Sequence, residues 1–247
     1  TGKNVDLVFV IDSSGSMSNE GATLAARIGD VMSRIVSESG GAIDSAQAGV
    51  ISYTDSPTLV SSITDDATAL DTAIQGIAPY TGSEEDGLQA MASVVNGGSL
   101  FNQIGWRANT VRSIVLLTDE DSDDQISEGD GFEGDAAGYS AFRAMLENLG
   151  YLNNVIVSDR SQKCSEFGGT GSNDGCEYIP TAIPSSGAFD LVDFTQNTDA
   201  FLAGFIKAKI GEIIITPPVD IVPLPAAGWL LIGGLGGLVA VKRRKKS

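Results

Sequence analysis

Val5-Asp6-Leu7-Val8-Phe9-Val10-Ile11-Asp12-Ser13-Ser14-Gly15-Ser16-Met17 is an apolar run that ends abruptly in acid and hydroxyl side chains. A near-continuous apolar stretch of this kind reads as a strand buried on both faces. Asp12, Ser14 and Ser16 follow at alternating positions just past it, so one carboxylate and two hydroxyls converge on one point. Such a point suits a hard divalent cation, which takes oxygen ligands. Taken one at a time, the same side chains would equally suit the cap of a following helix.

Outward from this strand the pattern alternates between periods. Leu24, Ile28, Val31 and Ile35 recur at steps of three and four within 21–38 and predict a helix. Residues 46–53 read as a second strand and 58–63 as a short third, paired with it at an edge. Asp65 and Asp66 open a helix through Leu70, Ile74 and Ile77, acid at a helix start suiting its dipole. Further helices are expected over 84–95, 136–149 and 199–210, and strands over 111–118, 154–157 and 188–192. This alternation predicts an α/β fold: a doubly wound, mostly parallel sheet with helices on both faces. Ligands of such sheets bind beyond the carboxyl ends of the strands, where Asp12 and Asp119 both fall.

Composition narrows the chemistry. The chain has 247 residues, 42% of them hydrophobic, and a net charge of −17. Five of its 15 basic residues are Lys242, Arg243, Arg244, Lys245 and Lys246, so the remainder is more acidic still. Such a body repels nucleic acid and attracts cations. There is no histidine, which removes the usual general base of hydrolases, and no serine or cysteine has an evident activating base. An enzyme is not expected. A metal site must be built from oxygen, favouring Mg²⁺, Mn²⁺ or Ca²⁺. Cys164 and Cys176 lie in a loop rich in Gly, Ser and Asn and are expected to form a disulfide in an oxidising compartment.

Asp12-Ser13-Ser14-Gly15-Ser16-Met17 after one strand, with Leu116-Leu117-Thr118-Asp119 after a later one, resembles a von Willebrand factor A domain, as in integrin I-like domains. The resemblance covers roughly residues 3–213 and implies a metal-ion-dependent adhesion site. By it, Ser14 and Ser16 would hold Mg²⁺ through their hydroxyls, while Asp12 and Asp119 act mostly through water. Neutral hydroxyls leave the ion's charge poorly satisfied, so it seeks an outside carboxylate. The family's remaining ligand comes from the loop 80–88, where Thr81 and Glu85 are equal candidates and Ser83 a third; a glutamate would make Ca²⁺ or Mn²⁺ more acceptable. Asn19 and Glu20 match the neighbouring metal site of integrins only loosely and read as solvated. The acidic run 119–135 lacks the glycine of an EF-hand loop and reads as a solvated loop flanking the ligand face.

After Thr216 the composition changes. Residues 1–215 read as the A domain, 216–225 as a Pro-rich linker, 226–241 as a transmembrane helix and 242–247 as a basic cytoplasmic tail. The uncharged run is slightly shorter than the about 20 residues of a usual span. Val222-Pro223-Leu224-Pro225-Ala226, the apolar run and the basic cluster are together similar to the VPLPA-type exosortase (PEP-CTERM-like) sorting signals of Gram-negative bacteria. That similarity implies export, inner-membrane anchoring, cleavage by a membrane transpeptidase, and release to the cell surface or an exopolysaccharide matrix. The sequence leaves open whether a signal peptide preceded Thr1. The function expected is an extracytoplasmic, cation-dependent adhesion module that grips an acidic group on a protein or polysaccharide; the alternative is a matrix component whose A domain self-associates.

Overall fold

A computed structural model describes residues 2–54, 56–77, 85–122, 134–159, 162–164 and 175–219. Among the described residues six strands form one sheet in the order β3-β2-β1-β4-β5-β6. They are β1 (Lys3–Asp12), β2 (Ile43–Tyr53), β3 (Thr58–Thr64), β4 (Val111–Thr118), β5 (Leu152–Val157) and β6 (Ala188–Asp190). Every neighbouring pair is parallel except β2 and β3, which run antiparallel at the edge.

β1 lies at the centre because both its faces are buried from Val5 onward. Val5, Leu7, Phe9 and Ile11 point into one core, Val8 and Val10 into the other. The first core is closed by α1 (Ser18–Ser37), α2 (Ala67–Gln75), α6 (Leu191–Gln196) and α7 (Thr198–Ile215). The second is closed by α3 (Gly87–Ser93), α4 (Phe101–Ile104), α5 (Ala136–Leu149) and the 3₁₀ turn Gly175–Thr181. Each fully buried large apolar side chain contributes about 1.5–3 kcal/mol, so two such layers hold the sheet from both sides. Asp66 caps α2 by accepting from Thr68 and Ala69 N–H, as the acid at that helix start predicts.

Several boundaries differ from the sequence pattern by two or more residues, among them the start of β2 at Ile43 and of β5 at Leu152, and three bear on the site or the end of the body. The strand expected over 188–192 stops at Asp190, and Leu191 opens α6 because Leu191 and Phe194 bury one helical face. The helix expected over 84–95 begins only at Gly87, since the Asp86 side chain accepts from Gln89 N–H and caps it there. The last helix runs to Ile215, past the expected end at 210. Among the described residues no helix is long and apolar enough to cross a membrane. The expected transmembrane helix 226–241, the sorting motif Val222, Pro223, Leu224, Pro225 and Ala226, and the basic tail lie outside the described residues. Cys164 and Cys176 form a disulfide, with Cα atoms 5.5 Å apart.

Candidate metal centre

Asp12 is the last residue of β1 and fully buried. Its Oδ1 accepts from Ser14 N–H at 2.7 Å, and its Oδ2 accepts from the Thr118 hydroxyl at 2.8 Å. Both Ser13 N–H and the Ser13 hydroxyl donate to Tyr53 O at 2.8 Å, pinning the turn to the end of β2. Met17, fully buried, anchors its far side. Ser14 and Ser16 Oγ lie 3.1 Å apart, and Ser16 donates to Asp119 Oδ1 at 3.0 Å. Asp12, Ser14, Ser16 and Asp119 therefore meet at one rim, at the ends of adjacent parallel strands.

The capping alternative fails for this turn. Neither the Gly15–Met17 turn nor α1 receives a side-chain cap from the residue before it. The hydroxyls face each other and Asp119 instead of helix N–H groups.

Burial pushes the Asp12 carboxyl up from its ordinary 3.8 to about 6, against the lowering effect of the Ser14 and Thr118 hydrogen bonds, and nearby Asp119 adds to the rise. Burial also raises Glu20, again with Asp119 contributing. An oxygen-only donor set around a carboxylate that burial drives toward protonation fits a hard cation, which would relieve that cost. No cluster of three or more His, Cys, Asp or Glu side chains with metal-holding geometry occurs among the described residues. A site here therefore relies on the serine hydroxyls.

Glu85 is buried beside Asp86. Asp86 N–H donates to Thr54 O at 3.5 Å and its Oδ1 accepts from the Ser122 hydroxyl at 2.8 Å, so this segment sits at the ends of β2 and β4. Thr81 and Ser83 lie outside the described residues. Asp135 caps α5 through Ala137 and Gly138 N–H, while most of the acidic run, residues 123–133, lies outside the described residues.

Three residues at this rim, Ser122, Tyr53 and Tyr178, escape a motif reading, and Thr118, which stands inside the Leu116-Leu117-Thr118-Asp119 motif, has a role there that the motif left unassigned. Thr118 holds Asp12 and also brackets Glu120 through its N–H and carbonyl, both at 3.1 Å. Ser122 ties Asp86 down. Tyr53 and Tyr178, both fully buried, press their hydroxyls against Gly87, where a Cβ would collide with Tyr178. The sequence signal for Thr118 is its place beside Asp119 in that motif. Beside the rim a groove of about 310 Å³ opens between Ser16, Glu20 and Asp119 on one side and Leu191, Val192 and Thr195 on the other.

A sequence model of the von Willebrand factor type A domain matches residues 6–131. The chain belongs to this family. No curated protein sequence matches this A domain. Among solved structures it is similar to the vWF domain of the type V pili tip protein Mfa5 from Porphyromonas gingivalis: 14% identity, 86% of this chain and 97% of that one, TM-score 0.58. It is also similar to proximal thread matrix protein 1 from the mussel byssus with a zinc-occupied MIDAS motif: 16% identity, 85% of this chain and 46% of that one, TM-score 0.58. The A domain thus spans about half the length of the byssus protein. At these identities the likeness is one of fold.

Proposed function

We propose that the chain is an extracytoplasmic binding module whose A domain grips an acidic group through a divalent cation. Ser14 and Ser16 would hold the ion directly, with Asp12 and Asp119 behind them and Thr81, Ser83 or Glu85 completing the set. The ion would be Mg²⁺, with Mn²⁺ or Ca²⁺ as substitutes, and its role is to supply positive charge to an incoming carboxylate. The observation that carries this reading is the pair of serine hydroxyls that meet each other and, through Ser16, Asp119, instead of capping α1. This chain's own residues do the rest: Thr118 and Ser14 N–H orient Asp12, and Ser13 and Met17 fix the turn. The partner is a protein or polysaccharide carrying an acidic group. No turnover is expected.

The family and its neighbours in a byssus matrix and at a pilus tip support a place outside the cytoplasm, as does the disulfide. The tail 222–246 would direct export, inner-membrane anchoring and exosortase-type cleavage at the bacterial envelope, with release to the surface or matrix. Those same neighbours favour a second reading, in which the A domain links copies within an extracellular assembly. Titration calorimetry with Mg²⁺ and Mn²⁺ tests the first. Uptake by the wild type and none by Asp12→Ala supports it, and no uptake of either ion at millimolar levels refutes it. Self-association that EDTA leaves intact favours the second.

A further inference from the structure

The last helix carries its charges on the inside. Lys209 is fully buried and Glu212 nearly so, on the α7 face turned to the sheet. Lys209 Nζ contacts Glu212 Oε2 at 2.8 Å and donates to Ser113 Oγ of β4 at 2.9 Å. Asn154 of β5 is also fully buried, and its Nδ2 donates to Glu212 Oε1 at 3.2 Å and Oε2 at 3.3 Å, with Gly187 O at 3.4 Å. Its Oδ1 has no hydrogen-bond partner among the described residues. An amine and a carboxamide thus rest on one oxygen of one carboxylate, and the same elements, β4, β5 and α7, supply Val111, Val115, Leu152, Ile206 and Ile213 to the apolar core.

A buried ion pair is a poor stabiliser, because desolvating both charges offsets their attraction. A hydrophobic pair would hold α7 to the sheet as well. The constellation has a chemical use instead. We propose that Lys209 and Asn154 become joined by an isopeptide bond, with Glu212 carrying the protons, so that α7 is covalently tied to β5. This proposal does not depend on the metal site.

Burial lowers the Lys209 pKa, although Glu212 opposes the shift, and so favours the neutral amine that a nucleophile must be. The ammonium first passes a proton to Glu212. The Nζ lone pair then attacks Asn154 Cγ and a C–N bond forms. Glu212 returns the proton to Nδ2, the Cγ–Nδ2 bond breaks, and ammonia departs. The second Nζ proton leaves with it as ammonium, and Glu212 is again a carboxylate. The products are a secondary amide and ammonium; no oxidant or further reactant is needed. The reaction is intramolecular, and Lys209 and Asn154 both contact Glu212, so the fold holds the two reacting groups on one carboxylate.

Intact mass spectrometry of the purified, reduced full chain tests this. The expected mass is lower than that of the sequence by one ammonia, about 17 Da. A protease digest should yield one branched peptide joining the Asn154 and Lys209 segments. Lys209→Met, Asn154→Ala and the near-isosteric Glu212→Gln should each restore the full mass. If those variants fail to fold, the wild-type mass and branched peptide decide alone. A folded wild type at full mass, with Asn154 and Lys209 in separate linear peptides, overturns the proposal. So does an ammonia loss that persists in Lys209→Met, which would mark succinimide formation at an Asn-Gly step such as Asn96-Gly97.

Discussion

Replacing Asp12 by asparagine separates what this residue does for the fold from what it does for a cation. Burial moves its pKa from 3.8 to about 6. In the metal-free protein the folded state therefore binds this proton more tightly than the unfolded chain does. Stability is then full below about pH 4 and falls as pH rises through about 6. Just over two pKa units at about 1.4 kcal/mol each gives a cost of about 3 kcal/mol that persists at pH 8. Asparagine removes the charge and keeps the contacts. Its Oδ1 can accept from Ser14 N–H, and its Nδ2 can donate to Thr118 Oγ1 once that hydroxyl turns its one proton from position 12 to Glu120 O, 3.1 Å away. Urea unfolding in EDTA should find Asp12→Asn more stable than the wild type at pH 8, by up to about 3 kcal/mol, and equal to it at pH 4. Mg²⁺ at a hundred times its dissociation constant should raise the wild type by about 2.7 kcal/mol at pH 8 and leave the variant unmoved. A metal-free variant no more stable than wild type at pH 8, or an advantage that does not change with pH, refutes the reasoning.

Other perturbations probe the remaining supports. Ser16→Ala should weaken Mg²⁺ binding at least about tenfold in calorimetry, at a cost to folding within about 0.5 kcal/mol, because Ser16 is exposed. Gly87→Ala should destabilise by about 1–3 kcal/mol in chemical denaturation through collision with Tyr178; adding Tyr178→Phe should recover part of that loss, and strict additivity would count against the contact. Lys3→Met removes donors from the carbonyls of Ile213, Ile214 and Thr216, and should cost about 1.5–3 kcal/mol and speed amide exchange at the end of α7. Opening the Cys164–Cys176 bridge with Cys164→Ser should lower stability by about 3 kcal/mol; an unchanged unfolding midpoint would refute that expectation.

Much of this architecture is legible in the chain, for identifiable reasons. β1 can be read because both its faces are covered, so burial erases alternation and leaves a run no surface strand would show. Asp12, Ser14 and Ser16 can be read because backbone connectivity alone brings them together, and Asp119 because it ends the next parallel strand. The partners of Asp12 are harder to see. Thr118 stands in the motif beside Asp119, but its bond to Asp12 emerges only when β4 is set beside β1. Asp86 and Ser122 are 36 residues apart and meet only through the sheet. The last helix misleads most. Ile214 and Ile215 are exposed at 43% and 79%, while Lys209 and Glu212 face inward, so a rule that sends charge to solvent turns the helix the wrong way round. The end of β6 is misjudged because the short run Ala188-Phe189-Asp190-Leu191-Val192 fits a strand or a helical turn equally well, and only its contacts decide.

Val219 N–H donates to Thr110 O at 2.7 Å, just ahead of β4, and Lys3 at the start of β1 grips the end of α7. Val219, the last described residue, thus lies at the pole where β1 and β4 begin, whereas Asp12 and Asp119 stand where those strands finish. A tether pulling on residues beyond 219 against a partner held at the rim would load these two central strands lengthwise. Their shared ladder, from Val5 opposite Val111 to Ile11 opposite Leu117, would meet that load in shear, with its rungs strained together instead of unzipping one by one.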